Sequence, residues 1–333
     1  MALAAHPLVV TSLSDVDGAA GVLRLRGFTI EDLIEQEVSY VAAVALLFSE
    51  AASGGGDDIG ARLLSLPLVL VESGDPFVSL RRAISLVPDD QDDIAVAGAC
   101  GRLVGCLAGR PEQRGSYVER ILRGSAQGVV DDDDVLSLDR CFVVHLDHAL
   151  NPGTLCCRVA ASTGAPLSAC ITAGLCALQG PLHGGASSAV GLILERELSG
   201  PDHVDAWVAA RTANKLKVPG FGHPIYRHQD PRTALMRALA IRAGDRRRQR
   251  LFVDTALALE HRVLEMSEGK LFANVDFYAA CLYATLGIPL ALHTPLFFAA
   301  RVLGWTAHAR EQKIFGRVIS PEAAYNGPPP RSR

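Results

Sequence analysis

The stretch Leu167-Ser-Ala-Cys-Ile-Thr-Ala-Gly-Leu-Cys-Ala-Leu178-Gln-Gly180-Pro-Leu-His183-Gly-Gly185 decides the fold class of this 333-residue chain. Its apolar residues recur every three or four positions up to Leu178, which is the spacing of one buried helix face. Gly180 and the proline after it then end the helix. Glycine carries no Cβ, so a ligand can approach the backbone around His183 closely. The stretch predicts a buried helix that leads into a loop with a chemically capable side chain.

The same helical spacing recurs along most of the chain. It predicts a helix that begins at a capping box of Thr29 and Asp32 and continues through Leu47, another over Phe252–Met266, and a third that opens at Thr294-Pro295 and runs to about His308. Strand signals are confined to Val22–Phe28, where apolar residues and arginines alternate. The fold class predicted is therefore mainly α. Loops are expected at residues 53–56, 88–93 and 328–330, and at the acidic run 131–134, because like charges repel one another.

The composition excludes several classes of protein. The chain has 32 Lys and Arg against 36 Asp and Glu, a net charge of −4, and 49% hydrophobic residues. Such a balance argues against a disordered chain and against a nucleic-acid-binding protein, which carries a basic excess. Only four of the basic residues are Lys, so 28 are Arg. The excess has two explanations, genome composition or arginine forks that hold carboxylates and phosphates.

The length and the cysteines indicate a two-domain protein of the cytoplasm. A chain this long is expected to form about two domains and to need no disulfide or metal for stability. The eight cysteines contain no CxxC pair, and most follow apolar helical patterns, so we expect reduced core residues. The N-terminus lacks the layout of a signal peptide, and the apolar stretch 288–305 is interrupted by prolines, His293 and Arg301. No membrane partner is expected.

Polar, titratable residues concentrate in four segments where loops meet apolar helices: His145-Leu-Asp-His148-Ala-Leu-Asn151, Gly180–Gly185, Val218–Arg232 and Asn274-Val-Asp276-Phe-Tyr278. Asp276 lies in an apolar stretch, where loss of water raises the pKa of a carboxyl and makes it a better base. Each segment also has a structural explanation, since a histidine in a turn or an aspartate at a helix start needs no catalytic role. His145, Asp147, His148 and His183 together resemble metal ligands in type, but no second ligand pair has suitable spacing, and no metal is expected.

Taken in order, these motifs resemble the citrate synthase family. The resemblance begins at Ser14-Asp-Val-Asp-Gly18 and Leu25-Arg-Gly-Phe28 and ends at Tyr325-Asn-Gly-Pro328. Between these ends it is carried by the four segments above, the third of which includes Asp230-Pro-Arg232, and by three further motifs: Ala161-Ser-Thr-Gly164, Thr294-Pro-Leu-Phe297 and Ala300-Arg-Val-Leu-Gly-Trp305. Chance explains one such motif, but not so many in family order.

The resemblance implies a mostly helical homodimer whose large domain is interrupted by a smaller one. Here the large domain would comprise residues 1–186 and 278–333, and the small domain residues 187–277. The implied reaction is a Claisen-type condensation of an acyl-CoA, such as acetyl-CoA, with a 2-oxo acid such as oxaloacetate, followed by thioester hydrolysis. Coenzyme A thioester is then a substrate, and no permanently bound cofactor is implied.

The resemblance also implies roles for individual residues. Asp276 matches the base, His183 the group that bonds the thioester oxygen, and His223 the group that polarises the acceptor carbonyl. His148, Arg232 and Arg301 match the positions that hold the oxo acid. The positions matched to coenzyme A are Val218, Pro219, Gly220, Phe221, Gly222, Arg227 and Asn274.

The chain departs from the family pattern at three positions. The family usually carries an arginine before the last proline–tyrosine motif, and that arginine reaches the partner subunit's acceptor site; here the position is Ser320. Loss of one member of a desolvated charge pair costs about 2–5 kcal/mol. Arg317 lies three residues earlier as a possible substitute, and Pro224 and Ala273 replace other usual residues.

Three functions stay open at this point. The retained His183, His223 and Asp276 favour a condensing enzyme, with the acyl chain and the acceptor undetermined. A citryl-CoA lyase would use the same residues in the reverse direction. Ser320 favours a catalytically silent family member that binds coenzyme A or a carboxylate.

Overall fold

A computed structural model describes residues 8–49 and 58–328 of the chain. The expected loop at 53–56 and most of the proline-rich segment at 328–330 lie outside the described residues. Within them the elements are β1 (Ser14–Asp17), β2 (Val22–Leu25), β3 (Phe28–Thr29), α1 (Ile30–Glu35), α2 (Tyr40–Phe48), α3 (Ile59–Leu64), α4 (Pro76–Ile84), α5 (Asp93–Cys106), α6 (Tyr117–Ser125), α7 (Asp132–His145), α8 (Pro152–Ser162), α9 (Leu167–Leu178), α10 (Gly185–Leu192), α11 (Val204–Ala213), α12 (Pro231–Arg247), α13 (Arg250–Met266), α14 (Val275–Thr285) and α15 (His293–Phe315). A π-helical turn covers Ile193–Glu197, and 3₁₀ turns cover Pro201–His203 and Leu290–Leu292.

The long helix α15 forms the centre of the molecule. It packs against α2, α5, α7, α8, α9 and α10, and nearly all of its residues up to Ala309 are buried. Two glycines in the neighbouring helices admit the indole of Trp305: a Cβ on Gly153 would lie 2.6 Å, and one on Gly174 2.8 Å, from ring atoms of that indole. The helix therefore lies close to α8 and α9, in the position from which Arg301 can reach the site described below.

The N-terminal strands form a small antiparallel sheet in the order β1-β2-β3. Ser14 pairs with Leu25, and Arg24 pairs with both Asp15 and Thr29. The sequence predicted a strand only over Val22–Phe28, so β1 was missed. Its residues, Ser-Asp-Val-Asp, carry one apolar side chain, and the strand is stabilised by its neighbour β2 rather than by its own pattern.

Several helix predictions are confirmed, and two need correction. The capping box of Thr29 and Asp32 is present, and α9 and α13 match their predicted spans. The first helix is broken, however, because Glu37 adopts a positive φ of 56° and Ser39 caps a second helix. Thr294 is not a cap: α15 begins at His293, directly after a 3₁₀ turn, and continues to Phe315.

The acidic run 131–134 is not the solvated loop that the sequence predicts. Asp131 caps α7 and forms a capping box with Asp134, whose side chain is fully buried. Arg246 and Arg247 at the end of α12 pair with Asp134, and Arg246 also pairs with Asp131. The partners lie more than 100 positions away, so the run alone gives no sign of them. Negative charge at the start of α7 is also favourable to the helix dipole.

No helix in the described ranges is both long and apolar enough to cross a membrane. The cysteines in those ranges are free, and six of the eight are buried, which agrees with the expected core role. Cys156 is half-buried and Cys176 is exposed.

We expect Asp134→Asn to lower the free energy of unfolding by about 1.5–3 kcal/mol, because it removes hydrogen bonds between charged groups at a buried carboxylate. The neighbouring Asp132→Asn is the matched control. Asp132 is exposed in the same helical turn, so its loss is expected to stay within about 0.5 kcal/mol. Urea unfolding of the two variants makes the comparison, and equal small losses would show that the α7–α12 ion pairs contribute little.

Candidate active site

One cavity of about 300 Å³ collects most of the predicted site residues. Its lining includes His148, His183, His223, Arg232, Asn274, Asp276 and Arg301. These seven residues come from four sequence segments and from α15, and the fold brings all of them to one place. Leu150, Leu182 and Ile225 add an apolar rim.

A short backbone bridge joins two of the segments. The N–H of Gly222 donates to Phe272 O at 2.8 Å, and the N–H of Asn274 donates to Gly220 O at 2.9 Å. Gly220 has a φ of 81°, and a Cβ there would lie 2.7 Å from Val190, so this position requires glycine. The bridge holds the backbone just before His223 beside the backbone just before Asp276.

Asn274 supports this bridge with its side chain. Its Oδ1 accepts the N–H of Asp276 at 3.1 Å and caps α14, while its Nδ2 donates to Gly222 O at 3.0 Å. Both ends of the amide are thus engaged within the chain. The structure gives Asn274 a positioning role, and its predicted contact with coenzyme A stays a prediction.

The carboxyl of Asp276 is only partly exposed, at the cavity wall. Burial raises its pKa to about 6, and positive charge from Arg232 and Arg301 opposes the rise while Asp230 adds to it. Its carboxyl is therefore ionised at neutral pH but close enough to titration to accept a proton readily.

The two predicted catalytic histidines are neutral at physiological pH. Burial lowers the pKa of His183 to about 4, with a further contribution from Arg301. Burial also lowers the pKa of His223 to about 4, and Arg232 contributes in the same direction. The Nε2 of His183 is buried without a hydrogen-bond partner, so it can bond a ligand atom in the cavity.

Hydrogen bonds fix the tautomer of His223. Its Nδ1 accepts the backbone N–H of Ile225 at 3.1 Å and that of Tyr226 at 3.2 Å. A nitrogen that accepts two N–H groups carries no proton, so the neutral ring carries its proton on Nε2. His223 is consequently a hydrogen-bond donor through Nε2.

The two arginines differ in what they offer a ligand. Arg232 holds Asp230 bidentately, Nε to Oδ1 at 2.9 Å and Nη2 to Oδ2 at 2.8 Å, so much of its fork is occupied. Arg301 donates from Nε to His145 O at 2.5 Å and lies over the ring of Phe297. Its Nη2 is buried and has no partner. Arg301 is therefore prepared for an anionic ligand, because a buried, unpaired donor is costly to leave unsatisfied.

Two residues of the site were missed by the sequence. The hydroxyl of Tyr226 lies 3.0 Å from His148 Nε2, and its ring, tilted by 41°, has its centroid 4.6 Å from that of His223. Asp230, the cap of α12, orients Arg232. Both lie in the segment Val218–Arg232, but only the fold shows that Tyr226 contacts His148 and that Asp230 contacts Arg232.

The residues predicted to meet coenzyme A are divided. Asn274 lines the cavity, whereas Val218, Pro219, Gly220, Phe221, Gly222 and Arg227 do not. Gly220 is buried and Arg227 is exposed. The loop 218–222 is joined to the cavity through His223, which follows it in the chain, and through the bridge to residues 272–274.

The tail after α15 lies away from the cavity. Residues 317–328 are mostly exposed, and both Ser320 and Arg317 are among them. Among the described residues, two hydrogen bonds hold the start of the tail, from Gln312 Nε2 to Arg317 O and from Ile319 N to Ser162 Oγ. Neither Ser320 nor Arg317 serves the cavity of its own chain.

No group of three or more His, Cys, Asp or Glu in residues 8–49 and 58–328 has an arrangement that would hold a metal ion. His145, considered as a ligand with Asp147, His148 and His183, instead lies 2.7 Å through Nδ1 from Cys141 O in its own helix.

Known proteins are similar to this chain in sequence and in fold. The family model described as the C-terminal domain of citrate synthase matches residues 92–322. A 2-methylcitrate synthase from Shewanella oneidensis is 30% identical over 361 positions, which cover 96% of this chain and 93% of that protein. A citrate synthase from Synechocystis is 28% identical, covering 98% of this chain and 90% of its own.

Solved structures agree with these sequence matches. Citrate synthase from Thermoplasma acidophilum, in a ternary complex with carboxymethyl coenzyme A and oxaloacetate, matches 98% of this chain and 96% of its own with a TM-score of 0.82 and 25% identity. Citrate synthase from Thermotoga maritima matches with a TM-score of 0.81 and 26% identity over 98% of this chain and 95% of its own. The predicted mainly α fold is confirmed, and the chain belongs to the citrate synthase family.

Proposed function

We propose that this chain condenses an acyl-CoA with a 2-oxo acid in the cavity around Asp276 and then hydrolyses the thioester. The observation that carries the proposal is the combination of one carboxylate with a raised pKa and two neutral imidazoles on a single cavity. That combination fits the removal of a proton from carbon, because base and enolate-stabilising donor are both present.

The first step forms the enolate of the thioester. Asp276 takes a proton from the α-carbon of the acyl group, and negative charge moves to the thioester oxygen. His183 would donate to that oxygen from Nε2, which is the buried atom without a partner. A neutral imidazole suits this role, because it donates a hydrogen bond through its N–H without carrying a positive charge.

The second step forms the carbon–carbon bond. The enolate carbon attacks the carbonyl carbon of the oxo acid, and the carbonyl oxygen becomes an alkoxide. His223 Nε2–H, whose tautomer is fixed by the amides of Ile225 and Tyr226, polarises that carbonyl and supplies the nearest proton. Water then cleaves the thioester and releases coenzyme A. Acid–base groups of this kind contribute about 10²–10⁴-fold each.

The carboxylates of the oxo acid are assigned to Arg301 and Arg232, with His148 beside them. Arg301 offers a free, buried Nη2, and its pKa, lowered by burial to about 10, still leaves it charged. The Thermoplasma relative was solved with a coenzyme A analogue and oxaloacetate, which supports these two classes of substrate. The Shewanella relative is a 2-methylcitrate synthase, so acetyl and longer acyl groups are both candidates.

We further infer that residues 187–277 form a small domain, and that residues 218–222, Arg227 and Asn274 receive coenzyme A.

We also infer that two copies of the chain form the working enzyme. The exposed tail 317–328 supports the dimer, since its own chain offers it little to pack against. In a dimer the tail of one copy would reach the partner's acceptor site, where the family usually places an arginine.

A second function, binding without catalysis, is favoured by Ser320. The test is release of coenzyme A thiol from acetyl-CoA or propionyl-CoA with oxaloacetate, pyruvate or 2-oxoglutarate, together with cleavage of citryl-CoA. Turnover with any pair supports the condensing enzyme. Cleavage of citryl-CoA without net condensation supports the lyase, and binding without turnover in every combination supports the silent protein.

We expect Asp276→Ala to abolish condensation, because no other carboxylate lines the cavity in the described residues. Asp276→Asn keeps the shape of the side chain and is expected to be equally inactive while retaining oxo-acid binding by calorimetry. Thiol release is the measurement. Turnover that survived either change would contradict the assignment of the base.

The pH dependence follows from the same group. Since the base must be ionised, we expect kcat/KM to fall about tenfold per pH unit below the Asp276 pKa of about 6. The histidines, with pKa values of about 4, stay neutral above pH 5 and add no second limb there. Loss of thioester absorbance gives the rate over the whole range.

Asp139 provides the control for this profile. Burial raises its pKa to about 6 as well, but it accepts the N–H of Tyr40 outside the cavity. Asp139→Asn should keep the acid limb. If the limb moved with Asp139→Asn, the titration would belong to stability rather than to the base.

We expect Ser320→Arg to tighten oxaloacetate binding, because it supplies a charge-assisted bond to an acceptor carboxylate. The gain should approach about 2 kcal/mol, the lower end of the value of such a desolvated pair. Ala323→Arg, an equal charge three residues along the exposed tail, should leave affinity unchanged. Calorimetric titration measures both, and an equal gain in the two variants would point to long-range attraction only.

A further inference from the structure

Strand β1 lies between the two loops that carry the acceptor-side histidines. The loop after α7, residues 146–151, contains His148, and the loop 223–230 contains His223. Ser14 at the start of β1 contacts the first loop, and Gly18, the residue that follows β1, contacts the second, although neither lines the cavity. The strand also lies outside the 92–322 region that the family model matches.

The Ser14 end holds the His148 loop at two points. The Ser14 hydroxyl donates to Asp147 Oδ2 at 2.5 Å and accepts the N–H of Ala149 at 3.0 Å. His148 is the residue between those two contacts. Ala149 has a φ of 44°, a conformation that residues with a Cβ rarely adopt, so the loop depends on restraint from outside.

Asp147 is in turn anchored to α15 and α8. His308 Nε2 lies 3.0 Å from Asp147 Oδ2, and His308 Nδ1 lies 2.8 Å from Arg158 Nη1. Arginine only donates, so Nδ1 accepts and the proton of the neutral ring is on Nε2, directed at Asp147. The carboxylate is therefore a fixed point, and Ser14 joins the hairpin to it.

The Gly18 end holds the His223 loop. Gly18 O accepts the N–H of Arg227 at 3.1 Å, and a Cβ on Gly18 would lie 2.4 Å from Ile225 O. The backbone N–H groups of Ile225 and Tyr226 are the donors that fix His223, and the Tyr226 hydroxyl lies 3.0 Å from His148 Nε2. Close contact at Gly18 thus acts on the same backbone that orients His223.

We propose that β1 is a brace, with Ser14 and Gly18 as positioning residues that set the spacing of His148 and His223 for the acceptor. The strand is extended and hydrogen-bonded along its length to β2, so it transmits a displacement at one end to the other. The catalytic meaning of the brace rests on the proposed function, whereas the mechanical link between the loops does not.

Hydrogen exchange of the unliganded full-length protein tests the mechanical link. Gly18→Ala should speed amide exchange about tenfold not only in residues 223–230 but also in residues 146–151, and Ser14→Ala should do the same from its own end. Ser137→Ala is the matched control, since it removes a buried hydroxyl that bonds only within α7. Faster exchange confined to the altered end of β1 would overturn the brace.

Steady-state kinetics test its consequence for the site. Ser14→Ala and Gly18→Ala should raise KM for the 2-oxo acid about tenfold or more, while KM for acyl-CoA stays within about twofold, because small displacements at a positioned site cost up to about 10²-fold. Ser14→Thr keeps the hydroxyl and should restore the wild-type KM. Equal rises in both KM values, or unchanged ones, would overturn the positioning role. A wild-type protein without turnover would refute the proposed function instead, and hydrogen exchange would still decide the brace.

Discussion

The close approach of α8 and α9 to the indole of Trp305 is the constraint on which the site depends. Gly153 and Gly174 leave room for the ring, and Gly304 allows α15 to lie against the backbone of Leu146, where a Cβ would be 2.2 Å from the carbonyl oxygen. Interiors are packed too tightly to absorb even one extra methyl without movement. The position of α15 is therefore fixed within narrow limits along its length.

Three parts of the site are attached to that one helix. Thr294 at its start donates to Gly184 O at 2.9 Å and so holds the loop of His183. Phe297 and Arg301, one and two turns on, form the wall that faces the cavity, and His308 anchors Asp147 beside the His148 loop. A shift of the helix would move the His183 loop, Arg301 and the His148 loop together. The packing of a buried tryptophan is thereby linked to the geometry of the chemistry.

The sequence predicted those features that depend on neighbouring residues, and it missed those that depend on residues distant in the chain. The capping box of Thr29 and Asp32 involves four consecutive residues, and the sequence predicted it correctly. The acidic run was not, because Asp134 is buried by Arg246 and Arg247, which are distant in sequence. The family motifs named seven of the residues that line the cavity, but they could not show that Asn274 and Asp230 bind their own neighbours, since those contacts depend on the fold.

The excess of arginine now has a physical explanation at four positions. Arg102, Arg158, Arg232 and Arg301 are all buried, and each binds groups of its own chain. Arg102 donates to the carbonyls of Leu63 and Leu66, and Arg158 contacts Glu311, His308 and Gln312. Arg232 binds Asp230, and Arg301 donates to His145 O. A guanidinium suits such sites because its fork satisfies several acceptors at once while staying charged. These arginines thus serve first as internal cross-links.

Two of the nitrogens of Arg232 donate to Asp230, whereas the buried Nη2 of Arg301 has no partner. Arg301 is therefore the better-prepared donor for an anion. Of the two arginines that line the cavity, Arg301 therefore retains a buried donor that its own chain does not use.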